Sequence, residues 1–248
     1  MCHDPDSRPP APPQVGEVAE KVLFTLTSAD GSVVNAAFAA PVEPPKAAIV
    51  VLPDVRGLHP FYAALTERLA EAGFAAVAID YFARTAEAPE GGLRGADFEY
   101  APHIEATTPE AIDLDTAAAI AYLRARVGAT IPVFTMGFCF GGSNAWRQSA
   151  SQLDLAGVMG FYGRPDRVGD AADHATKPVL MLIGGADAAT SVEDQESLAT
   201  RMRAAGAEVV SVVFPGAPHS FFDRSFDEWS GACEESWRQI LEFTGRLS

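Results

Sequence analysis

Basic residues and cysteines are both scarce in this sequence of 248 residues. It has 18 lysines and arginines against 33 aspartates and glutamates, which gives a formal net charge of −15. A surface this acidic repels phosphate backbones and anionic lipids, so we expect neither a nucleic-acid nor a membrane-surface role. The three cysteines, Cys2, Cys139 and Cys233, are too few and too far apart for a disulfide framework or a zinc site. We therefore expect a reducing, cytoplasmic compartment.

Long apolar runs and cofactor motifs are missing as well. No stretch approaches the roughly 20 apolar residues that a membrane span needs. The start of the chain, MCHDPDSRPPAPPQ, lacks the basic end and apolar run of a secretory signal. The sequence contains neither GxGxxG nor a Walker lysine, and no metal-spaced cluster of histidines and carboxylates. We therefore expect no cofactor and no metal.

What the sequence does contain is an alternation of strand-like and helix-like segments. Residues 1–16 include five prolines and little to bury, which predicts a disordered or polyproline-like lead-in before a single domain over 17–248. Short apolar and β-branched runs predict strands at 22–26, 33–40, 47–52, 75–79, 131–136, 155–162, 178–184 and 208–214. Segments of helical period lie at 60–73, 108–128, 191–206 and 227–247.

The strand pattern also indicates how the sheet is built. The runs from residue 47 onward are almost continuously apolar, which is typical of a parallel sheet covered by helices on both faces. The first two runs are separated by SADGS, whose Asp30-Gly31 predicts a hairpin turn. We therefore predict an α/β fold with a mostly parallel twisted sheet and an antiparallel leading edge. The stretch 83–107 lacks periodicity, and a loop that long is either disordered or functional.

The most informative segment for chemistry is IPVFTMGFCFGGSNAW, residues 131–146. A predicted strand runs into GFCFG at 137–141 and a helix follows, which is the G-x-nucleophile-x-G elbow with Cys139 in the serine position. Glycines are needed because flanking side chains would collide in so tight a turn. The amides and dipole of the following helix favour a thiolate. The alternative is a buried structural cysteine in a glycine-rich turn.

An elbow predicts an acid and then a histidine further along the chain. His219 follows the strand at 208–214, whereas His174 has no acid-bearing strand end between it and Cys139. Asp187 lies at the carboxyl end of another strand, where catalytic groups of parallel sheets collect, and Asp194 is the runner-up. We predict Cys139 as nucleophile, His219 as base and Asp187 as the group that orients the imidazole. The alternatives are a loop histidine and a turn-forming aspartate.

These residues resemble the dienelactone hydrolase family of α/β-hydrolases. The similarity runs from about residue 20 to the end and includes the segments GFCFGG, PDVRGLHP, AIDYFART, LIGGAD and PGAPHSF. The resemblance implies an α/β-hydrolase fold that hydrolyses a small ester or lactone through a thioester acyl-enzyme. It also implies an oxyanion hole formed by the backbone N–H groups of Phe140 and Val55.

The resemblance suggests roles for further residues. Asp54 matches a family glutamate that helps the thiol ionise, although a turn carboxylate that caps the next helix is the alternative. Arg84 matches an arginine that grips the substrate carboxylate, against the alternative of a surface arginine. The place of a second such arginine holds Asp223, with Arg224 one residue further on. Phe138 is expected in the core or in the pocket wall against the substrate.

Taken together, the sequence predicts a cofactor-free cysteine hydrolase of small esters or lactones, as a monomer or small homo-oligomer. A thiolate is itself a good leaving group, so such an enzyme suits activated substrates, and activated carbonates or phosphotriesters are compatible with the same oxyanion hole. Two other classes stay open. One is a non-catalytic binding protein on the same fold. The other is a redox-responsive thiol protein, since an exposed sulfur of low pKa is easily oxidised.

Overall fold

Eight strands form a twisted sheet in the computed structural model, which describes residues 6–88 and 91–248. The strand order across the sheet is β1-β2-β4-β3-β5-β6-β7-β8. The strands are β1 Val18–Thr27, β2 Val33–Pro41, β3 Ala47–Leu52, β4 Phe74–Ile79, β5 Val133–Phe138, β6 Gly157–Phe161, β7 Val179–Gly184 and β8 Val209–Phe214. Each of them overlaps one of the apolar runs in the sequence.

The sheet is parallel apart from its leading edge. Strand β2 runs antiparallel to both of its neighbours, β1 and β4, and every other pairing is parallel. The predicted hairpin joins β1 to β2, with Thr27 opposite Val33. Gly31 takes φ 85° in its turn, a conformation that glycine adopts without steric cost. The predicted mostly parallel sheet with an antiparallel edge is confirmed.

Helices cover the sheet on both faces. They are α1 Pro60–Glu71, α2 Ala101–Ala106, α3 Pro109–Val127, α4 Phe140–Arg147, α5 Pro165–Val168, α6 Val192–Ala205 and α7 Ser230–Leu247. Apolar side chains of α3, α4 and α6 belong to one core cluster, and those of α1 and α7 belong to the other. Successive residues of a strand point to opposite faces, so both faces of a central strand such as β3 are buried. This is the reason for the continuous apolar runs.

Local signals in the sequence begin or end several of these helices at the predicted residues. The side chain of Thr108 caps α3 by accepting a hydrogen bond from the N–H of Ala111 at 3.2 Å, and Pro109 follows as the first helical residue. Gly206 ends α6 at φ 109°. None of the helices within residues 6–88 and 91–248 is both long and apolar enough to cross a membrane.

Two segments had no predicted helix or strand. Part of the predicted lead-in, residues 1–5, lies outside the described residues. Residues 6–16 form neither helix nor strand, and three of their prolines are buried against the domain.

Within the long segment 83–107, Arg94 is buried and its Nε donates a hydrogen bond to Asp80 Oδ2 at 2.8 Å. Its two terminal nitrogens donate to the carbonyls of Ala86 and Glu87, so this arginine anchors the segment to the end of β4.

Candidate active site

Cys139 lies between the end of β5 and the start of α4, in a strained turn. Its backbone has φ 51° and ψ −110°, a region that side-chain-bearing residues rarely adopt. Tyr162 and Ser220 are the other non-glycine residues with positive φ within the described parts of the chain. The rings of Tyr162 and His219 lie 4.9 Å apart, and Ser220 follows His219 directly. Backbone strain is therefore concentrated around one site, and such strained residues often cluster at active sites.

The glycines of the elbow are required by backbone contacts. A Cβ on Gly137 would lie 2.0 Å from the carbonyl oxygen of Gly141. A Cβ on Gly141 would lie 2.0 Å from the carbonyl oxygen of Leu52, at the end of the neighbouring strand β3. Real Cβ contacts essentially never fall below 3.0 Å. The turn is thus closed against two backbones, and it presents Cys139 partly exposed at the carboxyl edge of the sheet.

Hydrogen bonds hold the turn from both sides. The N–H of Cys139 donates to the carbonyl of Phe161 at the end of β6, at 3.0 Å. Its carbonyl accepts from the N–H of Ser143 at 3.1 Å, which closes the first turn of α4. Because α4 begins at the next residue, its N-terminal amides and dipole point towards the sulfur. That arrangement favours the thiolate form of Cys139.

His219 and Asp187 form a close pair beside this turn. His219 Nδ1 lies 2.7 Å from Asp187 Oδ2, and the aspartate side chain is only 1% exposed. The other carboxylate oxygen accepts a hydrogen bond from the N–H of Ala189 at 2.7 Å. With Nδ1 held by the carboxylate, the imidazole can exchange a proton through Nε2. Asp194, the runner-up acid, lies in the first turn of α6, where the Ser191 hydroxyl donates to it at 2.7 Å.

A cavity of about 410 Å³ brings the predicted residues together. Cys139 and His219 line it, and so do the two residues with the predicted oxyanion N–H groups, Val55 and Phe140. These residues follow strands β3, β5 and β8, so the cavity opens at the carboxyl edge of the parallel sheet. Ligand sites of parallel α/β sheets lie at this edge. The volume is that of a site for a small molecule.

The charged residues that line this cavity are arginines. Arg164, just before the short helix α5, and Arg167, on that helix, contribute to the wall of the cavity. No aspartate or glutamate of the described residues lines it. Arg164 is paired with Asp166 at 2.6 Å, and that hydrogen bond raises the pKa of Arg164. The guanidinium of Arg167 lies 5.2 Å from the centre of the Phe140 ring. In a chain with net charge −15, this concentration of positive charge distinguishes the site.

Sequence reasoning missed both arginines. Helix α5, which Arg164 precedes and Arg167 belongs to, has only four residues, too few for any hydrophobic period to reveal it. A usable signal was nevertheless present, because the segment RPDR at 164–167 is separated from the end of strand β6 only by Tyr162 and Gly163. Polar residues placed just after a parallel strand are candidates for the ligand site.

Arg84 lies elsewhere, away from the cavity wall. Its Nη2 bonds the buried carboxylate of Asp115 on α3 at 2.7 Å, and its Nη1 bonds Asp30 of the first hairpin at 2.5 Å. The hydrogen bond that Arg84 donates to Asp115 is the main cause that raises the pKa of Arg84. The guanidinium therefore joins the hairpin to α3 rather than presenting its charge to a ligand.

Two other predicted contacts do not line the cavity either. The N–H of Arg224 donates to the carbonyl of Arg8 at 3.0 Å, and its side chain is exposed. The ring of Phe138 is fully buried and stacks on Phe161 with centroids 4.7 Å apart, which makes it part of the core. Asp223, the residue before Arg224, is buried and accepts a hydrogen bond from the N–H of Arg8 at 3.1 Å.

Asp54 is buried beside Val55 and is engaged by Arg56. Both carboxylate oxygens of Asp54 lie 3.1 Å from Arg56 Nε, and one accepts from the N–H of Arg56 at 2.8 Å. Helix α1 has a different cap, since His59 Nδ1 accepts from the N–H of Phe61 at 3.2 Å. Asp54 therefore stabilises the loop that holds Val55 and is not among the residues that line the cavity.

Comparison with known proteins identifies the family. The model of the dienelactone hydrolase family matches residues 34–248. The chain belongs to the dienelactone hydrolase family. Membership makes it a hydrolase of carboxylic esters or lactones. Within the described residues, no group of three or more histidines, cysteines and carboxylates is placed to hold a metal ion.

Several known proteins are similar to this chain over most of its length. A protein of Escherichia coli O157:H7 named carboxymethylenebutenolidase is 27% identical over 237 residues, covering 89% of this chain and 85% of the relative. A dienelactone hydrolase structure from Klebsiella pneumoniae has a TM-score of 0.80 at 22% identity and covers 93% and 99% of the two chains. A dienelactone hydrolase-like promiscuous phosphotriesterase from metagenomic libraries has a TM-score of 0.74 at 21% identity, covering 94% and 99%.

Proposed function

We propose that this member of the dienelactone hydrolase family hydrolyses small esters or lactones with Cys139 as nucleophile, His219 as general base and Asp187 as its orienting carboxylate. The observation that carries the proposal is the 2.7 Å contact between Asp187 and His219, because His219 lines the same cavity as the strained Cys139. The chain order nucleophile, acid, histidine is the order of α/β-hydrolase triads.

The first half of the reaction forms a thioester. His219 Nε2 takes the proton of the Cys139 thiol, and the sulfur attacks the carbonyl carbon of the substrate. The carbonyl oxygen becomes an oxyanion that accepts hydrogen bonds from the backbone N–H groups of Phe140 and Val55. Each such donor typically lowers the activation barrier by about 3 kcal/mol. When the intermediate collapses, the C–O bond breaks, and the imidazolium returns its proton to the leaving alkoxide.

The second half releases the acid. His219 takes a proton from a water molecule as its oxygen attacks the thioester carbon. The same backbone N–H groups stabilise the second oxyanion. The C–S bond then breaks, and the imidazolium returns its proton to the leaving thiolate, which gives the carboxylic acid and the cysteine thiol. Asp187 keeps Nδ1 protonated through both halves and stabilises the imidazolium. Because thiolate leaves readily, the attack step favours substrates whose alcohol is also a good leaving group. Activated carbonates and phosphotriesters fit the same oxyanion hole, although a slow phosphoenzyme step would limit the latter.

The positive side of the cavity suggests which substrates bind well. We assign the binding of a substrate carboxylate to Arg167, in place of Arg84 and Arg224, because Arg167 lines the cavity next to Phe140. Within the described residues its guanidinium has neither a hydrogen bond to, nor an ion pair with, a protein carboxylate, whereas Arg164 is paired with Asp166. A charge-assisted hydrogen bond of this kind is typically worth about 1.5–3 kcal/mol, or roughly 10- to 100-fold in affinity.

Hydrolysis of p-nitrophenyl acetate by the wild type and two variants tests the triad. We expect Cys139→Ala and His219→Ala each to lose at least about a thousandfold in kcat/KM while both keep the wild-type unfolding midpoint. A Cys139→Ala variant that retains wild-type turnover would remove this cysteine from the mechanism.

A second pair of substrates tests the arginine. We expect Arg167→Ala to raise KM for the mono-p-nitrophenyl ester of succinic acid about 10- to 100-fold and to leave KM for neutral p-nitrophenyl acetate unchanged. Arg238→Ala, which removes an exposed arginine on α7, serves as the matched control and leaves both KM values unchanged. Equal effects of Arg167→Ala on the two esters would contradict the assignment.

A further inference from the structure

Residues 7–10 lie across two loops that carry groups of the proposed reaction. They precede β1 and fall outside residues 34–248, the part of the chain that the family model matches. Ser7 is fully buried, and Pro9 and Pro10 are buried as well. We infer that this strap, residues 7–10, is a positioning element that aligns the oxyanion loop with the histidine loop; the inference rests on the proposed function.

The first contact of the strap is to the oxyanion loop. The Ser7 hydroxyl accepts a hydrogen bond from Arg56 Nη1 at 2.9 Å. The same guanidinium holds the buried carboxylate of Asp54 through Nε and Nη2, at 3.0–3.1 Å. Val55, the proposed oxyanion donor, is the residue between these two charged partners. The strap therefore fixes the side chain that determines the shape of the Asp54-Val55-Arg56 turn.

The second contact is to the loop that follows His219. The N–H of Arg8 donates to Asp223 Oδ1 at 3.1 Å, and the carbonyl of Arg8 accepts from the N–H of Arg224 at 3.0 Å. Asp223 is fully buried and lies four residues after His219. A buried carboxylate that accepts backbone N–H groups forms stronger hydrogen bonds than a neutral acceptor would. The strap thus holds the histidine loop with two backbone groups of one residue.

A third contact anchors the strap to the body of the domain. The carbonyl of Pro10 accepts a hydrogen bond from the indole nitrogen of Trp237, a buried residue of α7, at 3.3 Å. Prolines restrict the backbone of the strap before it docks, which lowers the entropy lost on ordering it. The result is a rigid bridge from α7 to both loops.

Alignment of the two loops matters because both act on the same tetrahedral intermediate: the N–H of Val55 stabilises its oxyanion, and His219 protonates its leaving group. Displacement of reacting groups by about 1 Å can cost about 100-fold in rate. Each loop also continues directly from a strand of the sheet, β3 or β8, so we expect the chain to fold without the strap contacts and their loss to lower kcat rather than stability.

Paired substitutions in the full chain separate the two contacts. Ser7→Ala removes the acceptor for Arg56, and Ser7→Thr keeps a hydroxyl there. Arg8→Pro removes the N–H that donates to Asp223, whereas Arg8→Ala keeps it and removes only the side chain. We expect Ser7→Ala and Arg8→Pro to lower kcat for p-nitrophenyl acetate about 10- to 100-fold. Their KM values and thermal midpoints should stay near those of the wild type, and Ser7→Thr and Arg8→Ala should retain wild-type kcat.

The pH dependence of Cys139 alkylation by iodoacetamide gives an independent readout. Arg8→Pro is expected to shift this profile because it moves the base, and Ser7→Ala is expected to leave it unchanged because it moves only the oxyanion donor. The inference is overturned if both variants keep kcat within twofold of the wild type, or if kcat falls only in proportion to unfolded protein. Failure of the proposed function has a different signature, since Cys139→Ala would then be as active as the wild type.

Discussion

Alanine at position 137 would place its Cβ 2.0 Å from the carbonyl oxygen of Gly141 and 2.7 Å from the amide nitrogen of Gly142. Real Cβ atoms stay at least 3.0 Å from such atoms, so the end of β5 or the first turn of α4 must move by at least 3.0 − 2.0 = 1.0 Å. Both neighbours are backbone and cannot rotate aside. Because Cys139 lies between them, its sulfur shifts on the same scale. A displacement of that size predicts a loss of about 100-fold in kcat/KM.

Gly245→Ala on α7 is the matched control for Gly137→Ala. A Cβ at position 245 meets nothing within 4 Å, and alanine is favoured over glycine in a helix by roughly 0.5–1 kcal/mol. We therefore expect Gly245→Ala to raise the urea midpoint slightly and to keep wild-type turnover of p-nitrophenyl acetate. Gly137→Ala should lower both the midpoint and the turnover. Wild-type values of both quantities for Gly137→Ala would refute the tight elbow.

Three further predictions concern buried groups. Arg94→Ala leaves Asp80 buried without its main ion-pair partner, so we expect urea titration to show a free energy of unfolding about 3–5 kcal/mol lower than that of the wild type. The control Arg238→Ala, at an exposed ion pair, should lower it by at most about 1 kcal/mol. Equal losses for the two variants would contradict this prediction. Burial raises the pKa of Cys233 to about 11, so iodoacetamide at pH 8 should modify the nucleophile and spare Cys233 until the protein unfolds, and comparable labelling of the two in peptide mapping would show otherwise. Asp187→Asn should lower kcat about 10⁴-fold by stabilising the wrong histidine tautomer, and a loss below tenfold would exclude an orienting role.

The strands could be predicted because burial on both faces leaves a continuous apolar run, as in β3 and β7. The bounds of β1 were harder to predict. It begins at Val18, four residues before the predicted run, because this edge strand is held by backbone pairing to β2 and is largely exposed. Helix α2 was missed for a similar reason: it has six residues and none of them is buried, so no apolar period marks it.

The same contrast holds within the site. The pairing of His219 with Asp187 could be predicted from chain order, because each follows a parallel strand and the carboxyl ends of those strands meet at one edge. The fate of Arg84 could not be predicted in this way. Its partners lie 31 and 54 residues away on α3 and the first hairpin, and only the three-dimensional packing brings Asp115 and Asp30 to the same guanidinium.

The thioester itself is the most direct test of the account. Wild type and Cys139→Ala, mixed briefly with p-nitrophenyl acetate and quenched in acid, can be digested and their peptides analysed by mass spectrometry. We predict one acetyl group on the peptide that contains Cys139, an adduct that hydroxylamine removes, and no such adduct in Cys139→Ala. Turnover in the wild type with no acetyl group on Cys139 at any time point, or with the acetyl group on another residue, would contradict the central claim.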